Sequence, residues 1–553
     1  MHNILEMVEA AASRAPHAEA LVVDRTRLTY RTLVELSRGF GEQLRALGTS
    51  CGNRIVIFLD KRVETVVSML GAAAAGCVFV PVNPLLKAHQ VLHVLRDCAA
   101  QCLVTSPVRA QLLGAEALAS VPHLILVDAP ACIPSSPSLP SLPSLPSGAI
   151  TCHRWSGGGS PEHVPGDGST GLTPGFPACI DTDLAAILYT SGSTGLPKGV
   201  MLSHRNLLEG AWSVSHYLHH AASDRILAAL PLSFDAGLSQ LTSAWATGAT
   251  AILLNYLMPQ DVITACEREC ITGMTGVPPL WMQLARATWP EAARRHLRYF
   301  ANTGGRLPLP VLQTLRTHFP QAKPYLMYGL TEAFRSTYLD PAEVDRHPDS
   351  IGKAVPNARI LVVREDGSSC GPDEVGELVH VGACVTLGYW NDAAHNALRY
   401  RPSPEVKPGG SPRDMAVWSG DLVRRDPDGY LYFVARNDAQ IKSSGYRISP
   451  EEIEEVVHAS GLVTEAVAVG VPDARLGESI VLLVAAVSPA SFDPDALLGW
   501  CRQRLPPYMI PHRVIVRKAL PLNPNGKFDR TALGAELGAA PGSREAGFRE
   551  SLP

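Results

Sequence analysis

The segment Leu188–Val200, LYTSGSTGLPKGV, gathers groups suited to holding phosphate. Thr190, Ser191, Ser193 and Thr194 bring hydroxyl donors, Gly192, Gly195 and Gly199 leave backbone amides open to approach, and Lys198 adds a positive charge. Amides in a glycine-rich loop can meet phosphate oxygens with no Cβ in the way. This is not a Walker loop, in which Gly-Lys precedes Ser or Thr; here the lysine lies between Pro197 and Gly199. A polar surface turn is the plain alternative for the loop alone.

Four later segments add complementary chemistry. YGLTE (Tyr328 to Glu332) follows a strand and offers an aromatic face, a hydroxyl and a carboxylate. WSGD (Trp418 to Asp421) sets an acid after a tight turn. ARNDAQIKSSGYRISPEEIE (Ala435 to Glu454) joins two large units, and PLNPNGKFDR (Pro521 to Arg530) presents Lys527. Singly, Asp421 is as well read as a turn cap, Glu332 as a surface acid and Lys527 as a solvated lysine.

A second constellation, His89, His93, Cys98 and Cys102 in HQVLHVLRDCAAQC, suggests a metal. Its spacing is looser than the paired knuckles of structural zinc sites. The reading preferred here is a helix burying Val91, Leu92 and Leu95, followed by the strand CLVTS.

The elements around these residues follow from periodicity. Leu33, Leu36, Phe40, Leu44 and Leu47 recur at helical spacing between residues 28 and 47, with Gly48 as the stop. RIVIFL and CVFVPV are short buried strands separated by a helix, and this alternation predicts an α/β layer with parallel strands. Residues 129–182, with PSLPSLPSLPS and SGGGS, are low in complexity and are expected to lack regular structure, as an insertion in a surface loop. The α/β pattern resumes at AAILY, and an amphipathic helix carrying Leu207, Leu208, Ala211, Val214 and Leu218 follows the glycine-rich loop. ARILVV, GELVHVG and GYLYFV predict a small barrel or sheet. In SPEEIEEVVHAS, Ser449 reads as N-cap, Pro450 as first helical residue and Glu452 as the partner in a capping box, with Ile453, Val456 and Val457 buried.

The expected architecture is a large α/β N-terminal domain over residues 1–436, with two layered α/β subdomains and a small β-barrel. A smaller, compact α+β domain spans 437–535, and 536–553 form a loose tail. The chain has 553 residues and a net charge of −4, so charge makes no case for nucleic acid as a partner. The N-terminus lacks the basic leader and apolar run of a signal peptide, and no apolar run reaches spanning length. Twelve scattered cysteines without a CxxC pair fit reduced thiols, and the expected location is the cytoplasm.

In order and spacing, the glycine-rich loop and the four later segments resemble the core motifs of the adenylate-forming superfamily. That group comprises acyl-CoA synthetases, nonribosomal-peptide adenylation domains and luciferases, and the resemblance covers nearly all of residues 1–535 outside the insertion. The stretches LPLSFDAGLSQLTSAWATGA and MYGLTEAFRSTYLDPAEVDRHPDSIGKAVPNARILVVREDG are similar to AMP-forming acyl-CoA ligases that accompany exosortase A systems in bacteria, a name that states context and not substrate.

The resemblance implies that a carboxylate attacks the α-phosphate of MgATP, and that a thiol then displaces AMP from the acyl-adenylate. It implies that Thr190, Ser191, Gly192, Ser193, Thr194 and Lys198 cradle the departing β- and γ-phosphates. Tyr328 would stack on adenine opposite Gly304 and Gly305, with Gly329 beside it. Thr331 would touch the α-phosphate and Glu332 would hold Mg²⁺. Asp421 would take the ribose hydroxyls, with Arg436 and Arg447 in the same nucleotide site. WSGD departs from the family's commoner Tyr-Arg-Thr-Gly-Asp but keeps the acid. Lys527 would bridge carboxylate and α-phosphate; Asp438 would be the hinge that exchanges Lys527 for the Gly445 loop at the thiol channel.

For the acid, the resemblance points to Phe234, Asp235 and Arg335. Many fatty and aryl acyl-CoA ligases carry a histidine in the segment matching PLSFDAG, whereas amino-acid-activating relatives carry Asp, which accepts the substrate ammonium. A buried acid needs a partner. For Asp235 that partner is a substrate amine or Arg335, unless the acid is simply the N-cap of the following helix. CoA and a separate carrier protein are both candidate acceptors. A scaffold that has lost catalysis would need neither Glu332 nor Lys527.

Overall fold

The computed structural model describes residues 1–128, 151–155, 179–190, 197–405, 415–436, 440–489, 491–521, 528 and 530–539. Ser191, Gly192, Ser193, Thr194, Asp438 and Lys527 lie outside these residues, as does the side chain of Arg436. The chain divides into two compact units, the first running to Asp438 and the second starting at Ala439.

The first unit is built on two large sheets whose centres are parallel. In the nine-stranded sheet the spatial order is Lys353–Ala354, Thr337–Leu339, Lys323–Tyr328, Tyr299–Asn302, Gly273–Gly276, Arg225–Ala228, Thr250–Leu253, Glu19–Val23 and Thr26–Thr29. In the eight-stranded sheet it is Gly388–Tyr389, Lys198–Ser203, Leu184–Thr190, Val78–Pro81, Arg54–Phe58, Cys102–Thr105, His123–Leu126 and Thr151–Arg154. The central strands are short unbroken apolar runs because helices cover both of their faces. In Arg54–Phe58 every residue after Arg54 is buried.

Each run becomes a strand or helix for a local reason. The helix Tyr30–Ala46 starts where the Thr29 hydroxyl accepts from the Thr32 amide at 3.2 Å. It buries Leu33, Val34, Phe40 and Leu44, while Leu36 and Leu47 only pack at the margin. Each full burial of such a side chain contributes about 1.5–3 kcal/mol. Ala88–Asp97 is the expected helix, burying Val91, Val94 and Leu95 and leaving Leu92 half-buried.

Three local expectations are corrected. Within 129–182, where no regular structure was expected, Thr151–Arg154 adds a parallel edge strand beside His123–Leu126. The glycine-rich loop does not run directly into a helix: Lys198–Ser203 first pairs antiparallel with Leu184–Thr190, and the helix His204–Tyr217 follows. Ser449 caps Pro450–His458 without a side-chain hydrogen bond, so the capping box does not form. The buried Ser449 hydroxyl has no hydrogen-bond partner among the described residues.

The small barrel unit is a curled antiparallel sheet of five strands centred on Val375–Gly382 and Met415–Arg425. The second unit has its own sheet, formed by Ile441–Ser443, Tyr446–Ile448, Val463–Asp473, Gly477–Ala486 and Arg513–Arg517. Its core holds Ile453, Val457, Leu482 and Leu497. No helix among the described residues is long and apolar enough to cross a membrane.

Candidate active site

The chemistry collects where the parallel strands end. Open α/β sheets bind ligands outside the carboxyl ends of their strands, where the order of winding reverses. Thr190 ends Leu184–Thr190, Gly304 follows Tyr299–Asn302, Tyr328 ends Lys323–Tyr328, and Asp235 lies beyond Arg225–Ala228. Arg225–Ala228 has Thr250–Leu253 on one side and the later Gly273–Gly276 on the other, so the winding reverses there.

Thr190 faces Lys198 across the hairpin, so the segment between them is anchored at both stems. Gly199 lies in the strand rather than in the loop. A Cβ there would come within 2.6 Å of Ile187 Cγ2, so sheet packing, not access to a ligand, accounts for this glycine. Lys198 Nζ lies 3.7 Å from Asp392 Oδ2.

Tyr328 and Thr337 are paired, and the turn between them carries Gly329, Thr331, Glu332 and Arg335. Thr331–Ala333 is a short 3₁₀ turn with Thr331 and Glu332 buried. The Glu332 carboxylate accepts the Tyr389 hydroxyl at Oε1, 2.7 Å away. Its carbonyl accepts the Thr386 amide at 3.0 Å and hydroxyl at 2.9 Å. Burial, and then the Glu332 charge, push the Tyr389 phenol well above its ordinary value, so it remains a donor.

Gly304 has φ of +75°, a backbone state that favours glycine. Asn302 donates to the Gly305 carbonyl at 2.7 Å and fixes this corner one strand away from Tyr328. Tyr328 donates its phenol to Asp421 Oδ2, and both side chains are buried.

Asp421 does not follow a tight turn; it sits inside the strand Met415–Arg425. Leu378 alone lies opposite Ser419, Gly420 and Asp421, which makes a bulge with Gly420 at φ +69°. The Ser419 hydroxyl donates to the Leu378 carbonyl at 2.7 Å, and the Gly420 amide donates to Glu377 Oε1 at 2.8 Å. Bulges of this kind re-aim a side chain, here the Asp421 carboxylate toward Tyr328. Arg436 is paired with Asp421 through its backbone.

Arg335 Nη1 donates to Asp235 Oδ2 at 2.9 Å, with the two side chains 3% and 14% exposed. The Asp235 side chain makes no cap bond to the helix Asp235–Thr247, whose N-cap is Phe234. Arg335 Nη1 also donates to the Phe334 carbonyl at 3.1 Å. Phe334 has φ +54° and ψ −55°, and the Arg335 amide reaches back to the Ala333 carbonyl at 2.5 Å, closing a γ-turn. In the second unit, Ser444 and Gly445, at φ +54° and +83°, form the two-residue turn joining Ile441–Ser443 to Tyr446–Ile448, with Arg447 on the latter strand.

Of the His89, His93, Cys98 and Cys102 group, Cys98 and Cys102 are buried, and His93 Nε2 lies 3.1 Å from the Pro197 carbonyl. No group of three or more His, Cys, Asp or Glu among the described residues is arranged for a metal ion. Sequence reasoning missed Tyr389, Thr386 and Asp392. They are joined to Glu332 and Lys198 only through long-range packing, and no local chemical pattern marks them.

Comparison with known proteins accords with this geometry. The profile described as AMP-binding enzyme matches residues 8–390, and that described as AMP-binding enzyme C-terminal domain matches 452–527. A long-chain-fatty-acid–CoA ligase of Salmonella typhimurium is 30% identical over 97% of this chain and 94% of its own. An L-proline–[L-prolyl-carrier protein] ligase of Streptomyces coelicolor is 32% identical over 93% of each. Among solved structures, o-succinylbenzoate CoA synthetase from Bacillus subtilis superposes with TM-score 0.79 at 25% identity, covering 96% of this chain and 98% of that one. The amide bond synthetase of Marinactinospora thermotolerans, at 22% identity and TM-score 0.78 over 97% and 99%, shares the fold. The chain belongs to the AMP-binding enzyme family, within the adenylate-forming superfamily.

Proposed function

We propose that the protein joins an acyl carboxylic acid to CoA with consumption of ATP to AMP. A carboxylate oxygen attacks the α-phosphorus, the bond to the bridging β-oxygen breaks, and pyrophosphate leaves. The thiol sulfur then attacks the acyl carbon and AMP departs. The observation that carries this reading is that Thr190, Gly304 and Tyr328 stand at the carboxyl ends of strands of the two large sheets, with Glu332 in the turn after Tyr328 and Asp421 bonded to the Tyr328 phenol.

In this reading Tyr328 and the Gly304–Gly305 corner bracket adenine, with Gly329 alongside. The Asp421 carboxylate, oriented by the Tyr328 phenol, accepts from the ribose hydroxyls. Arg436 and Arg447 support the same nucleotide, Thr331 meets the α-phosphate, and the 190–198 loop with Ser191, Gly192, Ser193 and Thr194 receives the departing phosphates. Glu332, a buried hard oxygen donor fixed at both carboxylate and carbonyl, suits Mg²⁺. When bound, the ion would neutralise triphosphate charge. Lys527 supplies the charge that draws the two reactants together. Hinge motion at Asp438 replaces it with the Gly445 turn for thioester formation.

The Asp235–Arg335 pair supports an acid without an α-ammonium group. Asp235 already has its counter-ion, so an amine entering the pocket would have to displace Arg335 and leave that guanidinium buried. CoA as the thiol is supported by the names of the fatty-acid and o-succinylbenzoate ligases it resembles. A second reading, an amino acid loaded onto a separate carrier protein, draws on the prolyl-carrier relative. Acid-dependent exchange of labelled pyrophosphate into ATP, over fatty, aryl, dicarboxylic and amino acids, tests the choice. Exchange with unsubstituted acids supports the proposal; exchange with amino acids alone supports the second reading.

A further inference from the structure

The strap Gly388–Asp392, GYWND, touches both ends of the proposed phosphate site. Tyr389 donates to Glu332 Oε1 at 2.7 Å. The Trp390 amide donates to the Gly199 carbonyl at 2.7 Å, and its indole donates to the Asp97 carbonyl at 2.9 Å. Asp392 Oδ2 lies 3.7 Å from Lys198 Nζ, and that ammonium is 6.0 Å from the Tyr389 ring centroid. Tyr189, on the entering stem of the glycine-rich loop, donates to Asp97 Oδ2 at 2.5 Å. One short strap is therefore tied to the carboxylate on one side and, on the other, directly to the leaving stem of the loop and through Asp97 to the entering stem.

The strap is itself held. Gly388 and Tyr389 pair with Met201 and Val200, next to Lys198. The Asn396 amide clasps the Tyr389 backbone, accepting from its N–H at 2.6 Å and donating to its carbonyl at 2.9 Å. Gly388 has φ of +117°, and a Cβ there would come within 2.8 Å of Asn396 Oδ1, so the clasp requires glycine. The Tyr389 ring stands edge-on to Tyr400 at 5.6 Å; Tyr400 bonds to Thr386 at 2.6 Å, and Thr386 donates to the Glu332 carbonyl. Buried hydrogen bonds to a charged acceptor, on rigid supports, fix the direction in which that acceptor points.

We propose that Tyr389 is a positioning residue for Mg²⁺-dependent ATP binding: its hydroxyl fixes the orientation of the Glu332 carboxylate, and the strap keeps that carboxylate in register with Lys198. The inference rests on the assignment of Glu332 to the metal side of ATP. Tyr389→Phe removes one hydroxyl and keeps the ring. In calorimetric ATP titrations of the full chain at a series of Mg²⁺ concentrations, the half-saturating Mg²⁺ level is expected to rise about 10-fold. ATP binding in EDTA is expected to stay unchanged. Asn396→Ala, which frees the backbone but keeps the hydroxyl, is expected to raise it about 3-fold, and it supplies the readout should the phenylalanine variant not fold. Equal weakening with and without Mg²⁺ in the variants would show a merely structural role and overturn the proposal, as would an unchanged Mg²⁺ dependence. Glu332→Gln separates the two levels. If it abolishes the Mg²⁺ dependence while Tyr389→Phe does not alter it, only the positioning role fails. If Glu332→Gln itself leaves the dependence intact, the assignment of Glu332 fails.

Discussion

Asp235→Ala tests the meaning of the acid assigned to the proposed acyl pocket. The side chains of the Asp235–Arg335 pair are 14% and 3% exposed and meet at 2.9 Å. Removing the carboxylate strands a guanidinium with little water, and breaking a buried pair in this way costs about 3–5 kcal/mol. Unfolding entropy near 2.1 cal/mol/K per residue, over roughly 430 residues in the first unit, gives roughly 0.9 kcal/mol/K. The first thermal transition is therefore expected to fall by about 3–6 °C. The double variant Asp235→Ala/Arg335→Met removes the stranded charge as well and is expected to recover most of that loss. Scanning calorimetry on the four proteins of this cycle measures the coupling directly, and pyrophosphate exchange is read in parallel. A single variant with an unchanged transition that loses only amino-acid-dependent exchange would refute the reasoning, because Asp235 would then serve a substrate amine.

Other outcomes follow from the same geometry. A Cβ at Gly210 would lie 2.2 Å from Phe334 Cδ1, so Gly210→Ala is expected to cost about 1–3 kcal/mol by overpacking and to slow adenylation through the Glu332–Arg335 turn; urea unfolding and single-turnover AMP formation check both. Gly499 lies in the helix Pro494–Arg504 with open space at its Cβ position, so Gly499→Ala is expected to stabilise the second unit by about 0.5–1 kcal/mol, read as a raised urea midpoint. Burial pushes His204, His220 and His380 down to about 4, below the value near 6.5 of an unfolded chain. Between these values the unfolded state binds more protons, so stability falls as pH drops from about 6.5 toward 4. A urea midpoint unchanged between about pH 7 and pH 5 would contradict this.

Much of the fold was legible because its signals are local. The runs RIVIF, VFVP and LAAILYT are continuous apolar strands, and Leu33, Phe40 and Leu44 mark a helix by spacing alone. Where the reading failed, the deciding interaction was distant or subtle. KGVMLS lacks strict alternation because its strand is covered on both faces, which hid the hairpin beneath the glycine-rich loop. WSGD looked like a turn because a bulge and a turn both use Ser and Gly; pairing with Val375–Gly382 decides between them. Thr151–Arg154 is a four-residue edge strand with no buried position, too weak a pattern to stand out from its flanks. Motif order marked the residues of the proposed site, but not Tyr389, which lies 57 positions from the Glu332 it contacts. The Asp235–Arg335 pair was foreseen only as one option among three, since sequence names the charges and not the distance between them.

The central claim is that a carboxylate oxygen becomes bonded to the α-phosphorus. A responding acid labelled with heavy oxygen in its carboxylate, incubated with ATP, Mg²⁺ and CoA, tests it by mass spectrometry of the nucleotide product. The expected result is AMP carrying one heavy oxygen, with unlabelled pyrophosphate and an acyl-CoA thioester. Unlabelled AMP, or ADP with the label in orthophosphate, would contradict adenylation.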